Sequence, residues 1–134
     1  MITYLWIAIG SALGGAARYG MTVWAARAWG ETFPWGTLAI NILGSFVIGL
    51  FFNLTMADGP LPASNNVRLF IMSGLCGGFT TFSAFSLQAL LLLRDSQWLP
   101  AFAYMIGSVV LCLAAVFIGH WLAGRIGVAL MPAS

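Results

Sequence analysis

Apolar residues fill four long runs of this chain, and the few charged residues stand between them. The runs extend from Ile2 to Ala26, Thr32 to Ala57, Leu69 to Leu93 and Ser96 to Gly124, interrupted by charge only at Arg18. Each exceeds the roughly 20 residues a helix needs to cross a hydrocarbon core. The pattern predicts an all-α membrane protein with four transmembrane helices, at about 2–28, 33–57, 66–94 and 97–128, forming one domain over residues 1–134. The connections are short and rich in turn residues: Trp29-Gly30-Glu31 before Pro34, Asp58-Gly59-Pro60-Leu61-Pro62 with Asn65-Asn66, and Arg94-Asp95-Ser96 before Pro100. Consecutive helices are therefore expected to run antiparallel. The six tryptophans fall mostly toward segment ends, where an indole keeps its ring in the interface and its N–H in water.

Within these runs several positions break membrane rules. Arg18 is the one charge deep inside a span, and an intramembrane cation is costly unless it reaches water or a partner. It follows the small residues Gly10, Gly14 and Gly15, which permit close helix approach. Two readings stand: snorkelling to the interface, or an anion attractor in a solvated vestibule. In the second run Thr37, Asn41, Gly44, Ser45 and Ile48 share a helical face, and the Asn41 amide must find partners there, as interhelical glue or as a ligand.

The third run holds Gly77-Gly78-Phe79-Thr80-Thr81, a poor sequence for a continuous helix because two glycines precede two β-branched residues. The expectation is a break near 77–80, freeing backbone groups at membrane depth that only protein, water or an ion can satisfy. Carbonyl ends of half-helices are suited to cations. Close packing alone is the competing reading of the glycine pair. Phe82 and Phe85 follow on one face, with Ser83 and Ser86 on adjoining faces. Aromatic pairs at this spacing commonly face lipid or core, but the positive edges of their rings also suit the lining of an anion pore. Tyr104 and Ser108, an i, i+4 hydroxyl pair, extend a polar track in the fourth run.

Composition sharpens this picture. The chain is 61% hydrophobic and 6% charged, against roughly 25% charged in an ordinary soluble domain. Its five basic residues are all arginine and form no cluster, so a nucleic-acid partner is not expected. Cys76 and Cys112 lie inside apolar runs and read as small hydrophobic side chains. The start, Met1-Ile2-Thr3-Tyr4, lacks the basic region of a cleavable signal, so residue 1 onward is expected to be mature structure. With four spans, Arg27 and Arg94 fall on one face and Arg68 and Arg125 on the other. This balance gives the positive-inside rule no preference and points to insertion in both orientations, with an antiparallel homodimer as the natural assembly. Balanced loops in a singly oriented protein are the alternative.

Chemistry is mostly excluded. Glu31, Asp58 and Asp95 all fall in connections, and one histidine with no carboxylate cluster assembles neither a metal catalytic centre nor a nucleophile with its base. The chain is not expected to be an enzyme. A proton-coupled exporter would use an intramembrane carboxylate, which is missing here, so a passive pore fits better. An exporter and a non-conducting membrane scaffold remain the alternatives.

The chain resembles the small fluoride channels of the Fluc family, also called CrcB proteins. The likeness rests on Gly14-Gly15-Ala16-Ala17-Arg18-Tyr19, on Gly36-Thr37-Leu38 with Asn41 and Gly44-Ser45-Phe46, and on Gly74 through Ser86. It implies a dual-topology homodimer in a bacterial inner membrane with two antiparallel fluoride pores, and a structural sodium ion at the dimer centre held by the main-chain carbonyls of Gly77 and Thr80. By the same resemblance Asn41 lines the pore, Phe82 and Phe85 are its aromatic stations, and Tyr104 and Ser108 lie along the polar track, accompanied by Thr37 and Ser83. Arg18 would sit toward a vestibule. Such a pore releases fluoride passively and protects the cell. One departure is Gln88, where the family often carries Glu; conduction is expected to survive it.

Overall fold

The architecture is that of a computed structural model describing residues 1–130. Every regular element among them is helical: α1 (Ile2–Trp29), α2 (Trp35–Leu54), a short α3 (Asn65–Arg68) that runs on through a π-helical stretch (Leu69–Cys76) into one turn of α4 (Gly77–Phe79), then α5 (Phe82–Arg94) and α6 (Trp98–Leu130). Three segments are long and apolar enough to cross a membrane: α2, the interrupted stretch Asn65–Arg94, and α6. At 28 residues α1 also has the length, but it is less apolar than these three, so the expectation of four clear spans is met by three and a weaker fourth.

Local chemistry sets the ends. α2 begins at Trp35 rather than 33 because Pro34 holds a non-helical cap conformation with ψ 56°. It stops at Leu54 rather than 57, where Thr55 reaches ψ 8° and the chain folds back, Gly59 N–H donating to Met56 O and Leu61 N–H to Leu54 O. Pro100 lies in the first turn of α6, where its missing N–H costs no helical bond.

Glycines set how the helices approach. Gly10 and Gly14 bring the α1 backbone against Gly74 and Gly78 in turn, so α1 and the third segment run parallel. Gly49 packs on Val116 and Asn53 on His120, so α2 and α6 also run parallel. Neighbours in sequence run antiparallel, as Gly36 against Ala25 and Gln88 against Tyr104 show. Interior volume is correspondingly small. Ala25, Ile40, Ala101, Tyr104 and Ala123 are nearly or wholly inaccessible, and Phe85, Ala89, Leu92, Ala101 and Tyr104 form one core cluster. Outside, the surface carries large apolar side chains such as Leu99, Phe117 and Val128, each at least 70% exposed. A monomer in water does not display apolar surface on that scale; lipid accepts it.

The α2–α6 contact yields a direct test. A side chain at Gly119 collides with the Phe46 carbonyl, a backbone atom that cannot swing away, whereas nothing lies within 4 Å of a Cβ at Gly107. Gly119→Val is expected to cost about 1–3 kcal/mol through overpacking. Gly107→Ala is expected to be neutral or to stabilise by up to about 1 kcal/mol through helix propensity. Thermal unfolding of the detergent-solubilised protein measures both.

Candidate functional site

The third segment is interrupted at the far end of the expected 77–80 stretch. Gly77 and Gly78 are helical, and the break falls on Thr80 (φ −79°, ψ 157°) and Thr81 (φ −152°, ψ 117°), both extended. The placement within that stretch has a packing reason. A Cβ at Gly78 would collide with the Ser11 backbone of α1, so this glycine serves helix approach. The β-branched threonines, which lose χ1 freedom in a helix, take the extended geometry instead.

Two side chains stabilise the interruption. Asn41 on α2 clamps the Thr81 backbone from both sides: its Nδ2 donates to Thr81 O at 3.1 Å, and its Oδ1 accepts from Thr81 N–H at 2.9 Å. Thr81 also caps α5, its Oγ1 accepting from Ala84 N–H at 3.1 Å and lying 3.1 Å from the Ser83 hydroxyl. These bonds divert donors that a continuous helix would use. Thr81 N–H no longer closes a turn on Gly77 O, and Ala84 N–H no longer reaches Thr80 O. Gly77 O and Thr80 O are thus among the carbonyls beside the break that lose their helical partners. Cys76 O fares differently, accepting at 2.9 Å from both the N–H and the Oγ1 of Thr80.

An open cavity of about 310 Å³ lies at this break between α2, the third segment and α6. It brings together Asn41, Gly77, Thr80, Phe82, Phe85 and Ser108, six of the residues singled out from the sequence. The Ser108 hydroxyl faces this space buried and without a hydrogen-bond partner among the described residues. Phe82 is 77% exposed and Phe85 only 9%, so the pair splits between the outer surface and the core.

The other predicted residues lie further along. Tyr104 is fully buried and donates from its hydroxyl to Gln88 Oε1 at 2.9 Å. Thr37 and Gln88 line a second cavity, of about 480 Å³, near the α1–α2 and α5–α6 turns. A row of rings joins the two cavities: Phe82 to Phe85 and Phe85 to Tyr104 at 5.2 Å between centroids, then Tyr104 to Phe33 at 5.5 Å in an edge-on contact. Ser83 lies beside the cap, exposed, and outside both cavity walls. Arg18 is half-buried on α1 and borders neither cavity.

Sequence reading missed two features here. The Thr81 cap was available as a signal, a threonine directly before the helical run Phe82–Arg94. The pairing of Gln88 with Tyr104 was not, because it joins positions on different helices.

An all-helical membrane protein with an interrupted, amide-clamped helix facing a cavity belongs to the class of membrane proteins whose broken helices form ion and substrate sites. Residues 5–120 match the family described as CrcB-like protein, Camphor Resistance (CrcB), and the chain belongs to that family. Among similar curated proteins, one from Methylocella silvestris is 56% identical over 117 residues, covering 87% of this chain and 89% of its own. Another from Opitutus terrae is 52% identical over 120 residues, covering 90% and 91%. A third from Chloroflexus aurantiacus is 47% identical over 128 residues, covering 92% of this chain and all of its own. Each of the three is named fluoride-specific ion channel FluC. This chain is a multi-pass membrane protein.

The clamp is testable alone. Asn41→Ala leaves the Thr81 N–H unpaired, a loss of about 1–3 kcal/mol for that orphaned donor, while the Thr81 C=O, at the N-cap of α5, keeps the first intrahelical bond. The unfolding midpoint in detergent is expected to fall accordingly, and amide exchange at Thr81 and Phe82 to accelerate well beyond that of α6.

Proposed function

We propose that this protein is a fluoride-selective channel that lets fluoride leave the cell passively across the cytoplasmic membrane. The observation that carries the reading is the interrupted third helix with its row of rings. Phe82, Phe85, Tyr104 and Phe33 link the break to the second cavity along a track that also holds Asn41, Ser108 and Thr37. The identity of the ion comes from the relatives, which bear the name of fluoride channels over nearly their whole length.

The chemistry suits a small, strongly hydrated anion. Fluoride surrenders water only where other donors replace it step by step, and it passes only if no single site holds it too tightly. The Ser108 hydroxyl is an unused donor, and positive ring edges attract an anion without the depth of a fixed cation. Neither cavity wall carries an arginine, which favours release over capture. The carboxylates Glu31 and Asp95 border only the second cavity, so no acid–base pair stands beside the break to drive proton exchange. The chemistry suits a passive pore.

The working unit in this reading has four spans per chain, α1 included, and is an antiparallel homodimer. Arginine balance supports it, with Arg27 and Arg94 at one end of the bundle and Arg68 and Arg125 at the other. The exposed ring of Phe82 and the open side of the cavity at the break supply a face for the second copy. In such a pair the Gly77 and Thr80 carbonyls, both short of helical donors, recur across the two-fold axis and offer four hard oxygens. That donor set fits a sodium ion, which would supply charge neutralisation and hold the two breaks together.

Liposomes loaded with fluoride and read with a fluoride electrode test the reading. Wild-type protein is expected to release fluoride rapidly and chloride negligibly. Phe82→Ile is expected to slow fluoride by roughly tenfold or more, about 1.4 kcal/mol at the barrier. Absence of fluoride release from well-folded protein would return the chain to the scaffold or exporter readings. Sodium is checked separately: exhaustive exchange into N-methylglucamine buffer is expected to lower the thermal midpoint and the flux, and readdition of sodium to restore both. An unchanged midpoint and flux would remove sodium from the reading.

A further inference from the structure

The cavity at the helix break has a sulfur wall that fluoride passage does not use. Met72, Cys76 and Cys112 all line it, the first two from the π-helical stretch and the third from α6. Both cysteines are free thiols. Met72 and Cys76 are four residues apart on one side of the third segment, and Cys112 follows Ser108 by one turn on α6, so two helices contribute sulfur-bearing residues to its lining.

We propose that Met72, Cys76 and Cys112 form a binding site for one soft monovalent cation of the copper(I) or silver(I) class. Thiol and thioether donors select such ions over harder metals. The surroundings favour the same choice. No histidine or carboxylate lines this cavity, and no group of three or more His, Cys, Asp or Glu able to hold a metal occurs among the described residues. Zinc, which takes four nitrogen, sulfur or carboxylate ligands in a tetrahedron, lacks a set here. A monovalent ion needs only two or three sulfurs. Charge balance points the same way. When the cation binds, one cysteine S–H gives its proton to solvent and its sulfur lone pair forms the metal–sulfur bond, with no change of oxidation state. One thiolate with one monovalent cation is neutral, and the second thiol and the thioether complete the coordination without adding charge. A neutral assembly avoids the penalty that a net charge meets at membrane depth.

The same cavity thus presents two donor sets of opposite character. The Gly77 and Thr80 carbonyls are hard oxygens, and the three sulfurs are soft. An ion that suits one is a poor ligand for the other.

Purified full-length protein, reduced, freed of reductant and kept in nitrate buffer to avoid silver chloride, is titrated with silver(I). Binding is followed by calorimetry and the ligands by X-ray absorption at the silver edge, readouts independent of fluoride flux. One silver per chain with two or three sulfur neighbours is expected. Met72→Leu, a volume-conserving change that keeps the fold, is expected to weaken binding by about tenfold. The double variant Cys76→Ala/Cys112→Ser, checked for a monodisperse elution profile, is expected to bind no silver. Two silvers per chain, one on each independent thiol, would overturn the site. So would unaltered affinity in Met72→Leu, or a first shell of oxygen and nitrogen.

Discussion

The site depends on one interaction, the double hydrogen bond between the Asn41 amide and the Thr81 backbone. A helix interrupted at membrane depth exposes an N–H and a C=O that lipid cannot satisfy. A single primary amide carries one acceptor and donors in the fork that both groups require. Asn41 meets them at 2.9 and 3.1 Å, and thereby fixes α2 against the exact turn at which the third segment changes direction. Everything that faces the cavity from this segment is placed by that bond. Gly77 and Thr80 lie just before it, Phe82 and Phe85 just after it, and their rings take their direction from the first turn of α5.

Much of the fold was legible because the forces that shape it are periodic and long. Runs of apolar residues separated by Arg, Asp, Gly and Pro locate helices, and the structure is helical throughout its regular elements. The third-run anomaly was visible as well, since two glycines followed by two threonines contradict a continuous helix. Its position was legible to within about a residue, but which residues make it was not, because glycine carries two meanings. At Gly78 it removes a side chain so that α1 can approach, which propensity alone reads as a weak helix. The threonines decide the break, and they do so only because Asn41, forty residues earlier, receives the released backbone groups.

The candidate residues divide along the same line. Asn41, Gly77, Thr80, Phe82, Phe85 and Ser108 converge on one cavity although they come from three segments. Residues four apart on one helix can be grouped from sequence, as Tyr104 and Ser108 were. Pairings between helices cannot, and so the bond from Tyr104 to Gln88 and the joint placement of Cys76 and Cys112 emerge only from packing. Arg18 shows the limit of reasoning from cost alone. A cation within an apolar run demands an explanation, but the run itself does not say which way the side chain faces, and the residue borders neither cavity at the break or the turns.

The Asn41 clamp engages only main-chain atoms of its partner. Any residue at position 81 except proline presents the same N–H and C=O when it adopts the extended geometry, so such a change places no demand on the asparagine in return. Across relatives the two positions will therefore show no correlated substitution, although they are among the most tightly coupled in the protein. Contact inference from pair statistics reads side-chain compensation and will pass over this bond.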